Sequence, residues 1–562
     1  MQRISTAPAP IRERVADRLV EALVRVGVDT VYGIPGGAIS PIYDALIAHP
    51  QIRVVHVRHE TSALYMAIGH TRARPGSLPC VLVTSGPGVT NALTGLAAAS
   101  GEGAPVLVIA GEVPRSRFGR HALQEGSPET LDVVNVVRTV TRSSASITLP
   151  GHAVYQVIEA ARRARAMRGP VFLSLPLDVA VAEVPASTYL ASAALPPQPD
   201  AAALAAAGEA LRRARRPLFL LGSGARGAAQ AVCHLTARMR IPVITSPKAK
   251  GVVPETMRHC MGVFGYGGHP SAAQWLQRHP PDVVVALGCG LTEPSTNSWS
   301  TALQASGTMI QVDVDPSRFG RNYRTDIAIE CDVATAVSSF AEALDGRPPW
   351  DLPLTGVTRY EHAKPTDPDG ALAPGRVIAT LQEELPPTTL YTADIGEHLL
   401  FAIHYLALAR ADQFTASLAF GSMGSGIGAA IGLKLASPER PVVAICGDYG
   451  FQMYGMELNT CVQERLDVTF VVMNDARMRM VEAGLGRNYG RALPMHGPLV
   501  DFAAVARGHG ARGFVARTLD ELREALTSPS DQGPSVIDVR IDPASSFPMN
   551  ARVQEISNWT SK

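Results

Sequence analysis

One pattern constrains this chain more than any other. Short runs of apolar residues, unbroken by polar alternation, recur along its length between longer amphipathic or Ala-rich segments. The first part carries TVYGI (30–34), CVLVTS (80–85), PVLVIAG (105–111) and VFLSLP (171–176). The middle carries PLFLLG (217–222), IPVITS (241–246), DVVVALG (282–288) and MIQVDVD (309–315). The last part carries TLYTADIG (389–396), PVVAICGD (441–448), VTFVVMND (468–475) and SVIDVRID (535–542). A strand with one wet face alternates in polarity, so a continuous apolar strand must be covered on both faces. Helices give that cover in parallel sheets. The expected fold class is therefore α/β, with three doubly wound parallel-sheet domains.

Two Pro-rich stretches divide the pattern: ASAALPPQPDAAA (191–203), and DGRPPWDLPLTG followed by HAKPTDPDGALAPG (345–375). Pro disfavours helix interiors and central strands, so both read as linkers. The expected domains are 1–190, 200–345 and 370–550, and 562 residues are ample for three cores. Charge excludes several function classes. With 51 Lys and Arg against 50 Asp and Glu, no basic excess advertises nucleic acid. No stretch approaches the ~18 apolar residues of a membrane span, and the N-terminal segment lacks an apolar signal core. The seven cysteines include no CxxC pair and read as reduced core thiols, which sets a cytoplasmic expectation.

Two motifs could carry chemistry. Gly222-Ser-Gly224-Ala-Arg-Gly227 follows a strand, as a dinucleotide fingerprint should. The acidic residue expected at the next strand end is missing, since IPVITS runs into Pro247 and Lys248. A tight strand-to-helix turn, or the nucleotide part of another cofactor, fits better than NAD. The second motif places Gly447-Asp448 at one strand end and Asn474-Asp475 at the next. A parallel crossover returns both ends to the same carboxyl edge. One carboxylate, one amide oxygen and nearby carbonyls suit Mg²⁺ carrying a diphosphate. Backbone N–H groups from Tyr449 to Phe451 can cradle phosphate oxygens.

Gly447-Asp448-Tyr449 followed by Asn474-Asp475 resembles the thiamin-diphosphate motif of the acetohydroxyacid synthase (acetolactate synthase) and pyruvate oxidase superfamily. Val31–Leu46, Val57–Glu60, Thr84–Asn91, Phe420–Gly432 and Phe547–Met549 match that family in its order. The resemblance implies roles. Glu60 hydrogen-bonds N1′ of the aminopyrimidine and drives loss of the thiazolium C2 proton. Met423 is the apolar wedge that bends the cofactor, and Gly421 helps to hold the pyrimidine edge. Asp448, Asn474 and the main-chain oxygen of Ala476 bind Mg²⁺. Gly396, Glu397 and His398 approach the diphosphate. Further cofactor contacts fall at Pro35, Gly447, Tyr449, Gly450, Met478 and Val481, and catalytic contacts at Gly36, Gly37 and Gln124. Pyrimidine and diphosphate motifs belong to different subunits in this family, so a homodimer or homotetramer is implied.

Departures from the family pattern bear on specificity. Tyr449 replaces a Gly, and Glu397 replaces a Gln that touches the diphosphate. An added carboxylate there is repulsive unless protonated or turned away. Gly484 stands where the family has a Trp, and Leu123 where it has a Phe, with Met480 as the third pocket position. Losing two aromatic walls enlarges the pocket. In the central domain, Gly290-Leu-Thr-Glu-Pro294 loses an Arg expected against flavin, which leaves FAD, an ADP-type ligand or no ligand open. The expected function is a thiamin-diphosphate carboligase using a 2-keto acid donor and a larger carbonyl or thioester acceptor. Acetolactate synthase, a decarboxylase or C–C lyase, and a catalytically inactive relative are the alternatives.

Overall fold

The computed structural model describes residues 12–185, 199–304, 307–361, 371–529 and 533–548. It contains three six-stranded sheets, each parallel throughout. The first runs, in spatial order, Arg53–His56, Thr30–Gly33, Cys80–Val83, Val106–Glu112, Pro170–Pro176 and Ser143–Ser146. The second runs Cys260–Val263, Val243–Thr245, Pro217–Leu221, Val283–Leu287, Thr308–Asp313 and Ile327–Glu330. The third runs Phe414–Thr415, Leu390–Ala393, Val442–Gly447, Val468–Asn474, Ser535–Arg540 and Arg512–Ala516. Numbered by appearance within each sheet, the first and third share the order 2-1-3-4-6-5, while the second is 3-2-1-4-5-6. The outer sheets are thus topological twins with little sequence likeness.

Every apolar run named from the sequence is an interior strand. All six edge strands escaped that reading. Ser143–Ser146 is partly exposed throughout and Ile327–Glu330 buries one residue in four, so neither forms an apolar run. Cys260–Val263 is buried but short, with a Gly inside it. Two-sided cover is visible in the central sheet. Phe219 and Leu221 join one apolar cluster, and Leu218 and Leu220 of the same strand join another.

The described residues fall into two compact units. One takes residues 1–194, 419–439 and 453–467; the other takes 195–418, 440–452 and 468–562. Within the first unit, the helix Ser425–Ala436 lies against the helix Glu60–Ala73 at backbone contact distance. A Cβ on Gly432 would stand 1.9 Å from the Met66 carbonyl oxygen, and one on Gly69 would stand 2.0 Å from that of Ala429. This close approach accounts for the glycine spacing of the Phe420–Gly432 motif.

The second linker is corrected in part. Residues 345–361 pack on the central domain: Trp350 is buried in its core, donates to the Ala214 carbonyl at 2.9 Å, and lies under the Arg347 guanidinium. The following helix, Pro374–Glu384, begins at a Pro, as first-turn geometry permits. Residues 186–198 of the first linker, 362–370 of the second, and Met549 of the tail motif lie outside the described residues. The cysteines are all free, and among the described residues no helix is long and apolar enough to cross a membrane.

Candidate active site

In the first unit, the residues singled out from the sequence gather at the carboxyl edge of the first sheet. Glu60 begins the helix that follows Arg53–His56. It is buried, and its Oε2 accepts from Asn91 Nδ2 at 3.0 Å, so the Thr84–Asn91 motif orients it. Two residues that sequence reasoning missed hold this helix start. Glu457, also buried, accepts from the backbone N–H groups of Arg58 (2.9 Å) and His59 (3.1 Å) and from Thr460 Oγ1. Tyr454 packs edge-on against His59 and Tyr65, and its ring fills the space a Cβ would need at Gly424. Gly424 follows Met423, so Tyr454 couples the Met423 turn to the Glu60 helix. Gly421 adopts φ +74, and the space a Cβ would take there is open.

Pro35, Gly36 and Gly37 follow the strand Thr30–Gly33. A Cβ at Gly36 would stand 2.6 Å from Thr84 Oγ1, whereas Gly37 faces open space. Gln124 lines a hollow of about 410 Å³ with Gly86, Thr90, His121 and Leu131. Leu123 projects from the same loop and is 89 % exposed.

In the second unit, Asp448 and Asn474 stand at the ends of adjacent strands paired in register, Gly447 opposite Met473. Both are buried and line a hollow of about 60 Å³ with Tyr449, Gln452 and Ala476. Asp448 Oδ1 accepts from the Tyr449 N–H at 2.8 Å, but Oδ2 has no partner. Burial pushes the Asp448 carboxyl up to about 6. Asn474 donates through Nδ2 to Asp538 Oδ1 and to the Val500 carbonyl, which turns its Oδ1 toward the Ala476 N–H. A buried carboxylate oxygen without a partner beside an outward amide oxygen fits a hard divalent cation. Two expectations change in detail. The helix Asp448–Tyr454 starts at Asp448 itself, so one N–H of the expected cradle is spent on that carboxylate. The Ala476 carbonyl accepts from the Gly497 N–H at 2.9 Å, so a metal would share it.

His398 is buried against Gly396 and Gly447, where added Cβ atoms would stand 2.5 and 3.0 Å from its ring. Its Nε2 has no partner, and burial lowers its pKa to about 4. This orphaned ring nitrogen suits a polar ligand atom at the same edge. Glu397 is turned away, paired with Arg479 (Nε to Oε2, 3.2 Å) and accepting from the Phe547 N–H at 2.8 Å. Arg479 also reaches Asp475 and the carbonyls of Asp542, Pro543 and Ser545. Arg479 thus compensates the charge that the Glu397 departure introduces. Arg479→Ala removes the charged partner of the half-buried Glu397 carboxylate and is expected to cost about 1.5–3 kcal/mol in chemical denaturation. Glu397→Gln, which leaves Arg479 its carbonyls and Asp475, should cost less than half of that.

Met478, Met480, Val481 and Gly484 border or lie on the helix Arg479–Tyr489, which has no buried residue, and Gly484 meets no atom within 4 Å of its Cβ position. In the central sheet, the Gly222 and Gly224 N–H groups donate to the Leu287 and Gly288 carbonyls, so this fingerprint serves a tight turn. Arg318 lies over Gly290, its Nη1 3.0 Å from the Cβ position, and leaves a cation beside the lost Arg.

Comparison with known proteins finds three family models along the chain. The family model described as the thiamine pyrophosphate enzyme N-terminal TPP binding domain matches residues 13–132. The corresponding central domain matches 204–340, and the C-terminal TPP binding domain matches 394–539. An acetolactate synthase large subunit of Parasynechococcus marenigrum is 31% identical, over 95% of this chain and 88% of its own length. A chain of Mycobacterium tuberculosis named as an acetolactate synthase large subunit is 32% identical, over 94% of this chain and 98% of its own. One from Corynebacterium glutamicum is 30% identical, over 92% and 85%.

Proposed function

The chain belongs to the thiamine pyrophosphate enzyme family, and from that premise we propose a carboligase that decarboxylates pyruvate and passes the two-carbon unit to an acceptor larger than a 2-keto acid. Thiamin diphosphate supplies the nucleophilic carbon and the electron sink that decarboxylation needs. The chain's own residues do the rest. Glu60, held by Asn91, keeps a proton in exchange with N1′ of the pyrimidine. Met423 would support the cofactor through apolar contact. Asp448 and Asn474, with a share of the Ala476 carbonyl, would hold Mg²⁺, and His398 would offer its unpartnered Nε2 to the diphosphate. Gln124, Gly36 and Gly37 form the side on which the acceptor is met. The active form is a homo-oligomer, one copy giving the Glu60 half of a site and another the Asp448 half.

The observation that carries the acceptor reading is the open space at Gly484, where the family pattern has an indole. A Trp brings on the order of 200 Å² of surface. Gly484→Trp is expected to lower ligation to bulky acceptors while CO₂ release from pyruvate persists. The check is the partition among acetolactate, acetaldehyde and bulky adduct, with thiamin diphosphate and Mg²⁺ supplied. Names of relatives matched over nearly their full length favour a second reading, acetolactate synthase itself. Efficient acetolactate formation by the wild type, with larger aldehydes refused, would establish that reading in place of ours.

A further inference from the structure

The loop 119–127 is built around two buried carboxyl groups that the proposed chemistry does not use. Glu125 is 8 % exposed and points into its own loop. Its Oε1 accepts from the Gly119 N–H and from Ser127 Oγ, and its Oε2 from the Ala122 N–H at 2.9 Å. The Ser127 hydroxyl and these backbone donors hold its carboxyl below the usual range. Glu112, at the end of Val106–Glu112, accepts through Oε1 from the N–H groups of Val113 (2.8 Å) and Gly126 (3.1 Å). Burial raises the Glu112 carboxyl, and its Oε2 has no partner. Gly126 leaves no space beside it: a Cβ there would stand 2.8 Å from Glu112 Oε2.

Gln124 sits between these anchors in a left-handed conformation, φ +63, uncommon for a residue with a side chain. His121 is left-handed too, at φ +54. On the other side the Gln124 backbone rests on the Gly86 turn, where an added Cβ would stand 3.0 Å from the Gln124 carbonyl oxygen. Such strain persists only when the surroundings over-determine it. Here the surroundings are the Glu125 cage, the Glu112–Gly126 tie and the Gly86 turn.

We propose that Glu125 is a positioning residue for Gln124, its carboxylate serving as the internal template that fixes the loop against the Gly86 turn and sets how the acceptor is held in the hollow. This rests on the reading above that Gln124 meets the acceptor. Only an acceptor-only group satisfies all three donors. In Glu125→Gln, one amide edge must face an N–H or hydroxyl with another donor, so the template fails at one contact while its size is unchanged.

The test uses full-length holoenzyme and compares Gln124→Ala, Glu125→Gln and Ser127→Ala. Ligated product per CO₂ released is measured with pyruvate and a bulky aldehyde, and thiamin diphosphate affinity is followed by circular dichroism. A displacement near 1 Å can cost about 10²-fold in a positioned reaction. Glu125→Gln is expected to lower the product ratio by about tenfold or more, in the direction of Gln124→Ala, with cofactor affinity within about twofold. Ser127→Ala, which removes one donor and keeps the carboxylate, should lower it about threefold. It carries the test if Glu125→Gln fails to fold. A lowered ratio in Gln124→Ala beside unchanged ratios in the other two overturns the positioning role and leaves Gln124 in place. An unchanged ratio in Gln124→Ala overturns the reading of Gln124 itself, and the proposal with it.

Discussion

Glu60→Gln is expected to lower turnover by about 10²–10⁴-fold, the range for losing a positioned general acid–base group. Gln keeps the size of the side chain and can still accept from Asn91 Nδ2, which lies 3.0 Å from the native carboxylate. It cannot take up and return a proton at N1′. Thiamin diphosphate affinity should change little, because the Asp448 side of the site is untouched. Steady-state CO₂ release and a cofactor titration, run on the same preparation, separate these two quantities. Near-normal turnover would remove Glu60 from its proposed role.

Asp448→Asn should have two effects of opposite sign. Mg²⁺-dependent binding of thiamin diphosphate is expected to weaken by at least about 10²-fold, since even outer-shell changes cost up to that much in metal sites. The ligand-free protein should become more stable by roughly 1–2 kcal/mol, the scale of leaving a buried polar group unsatisfied. Burial and the nearby Asp475 charge raise the Asp448 carboxyl despite the backbone N–H groups of Tyr449, Ala476 and Arg477. Its Oδ2 is buried without a partner, so ligand-free folding carries an incompletely compensated carboxylate. Titration by circular dichroism reads the first effect, and denaturation without Mg²⁺ reads the second. Unchanged affinity would sink the metal assignment. A less stable ligand-free variant would show that Asp448 is satisfied in some other way.

How much of this was legible in the sequence depended on how each residue announces itself. Interior strands did so through unbroken apolar runs, because both of their faces are covered. Edge strands did not: Ser143–Ser146 is nearly all serine, and Arg512–Ala516 is only partly buried. Asp448 and Asn474 were legible as a pair because adjacent parallel strands end at one edge. Glu60 stood out only through its resemblance to a family motif, since a lone Glu after His59 carries no pattern of its own. Glu457 and Tyr454 were not legible at all. Their importance lies in what they touch across a long sequence separation, Arg58, His59, Tyr65 and Gly424. Arg479 was visible as a residue but not as the partner of Glu397, because a side chain's direction is decided by tertiary packing. The Glu397 departure therefore looked repulsive in sequence and is neutralised in structure.

The glycine-lined contact between Glu60–Ala73 and Ser425–Ala436 also fixes when the first unit can be completed. That unit draws on residues 1–194, 419–439 and 453–467. Its main apolar cluster lies within residues 15–184, but the face of Glu60–Ala73 that meets Ser425–Ala436 stays uncovered until the later segments have left the ribosome. At about 5–20 residues per second, the wait after residue 194 is on the order of tens of seconds. During that interval Tyr65, Met66 and Gly69, which meet Gly428, Gly432 and Ala429, have no partner from the later segments. A fragment ending after the first linker, with that helix face bare, is expected to be more prone to aggregate than the full chain, read as the fraction pelleted at equal concentration.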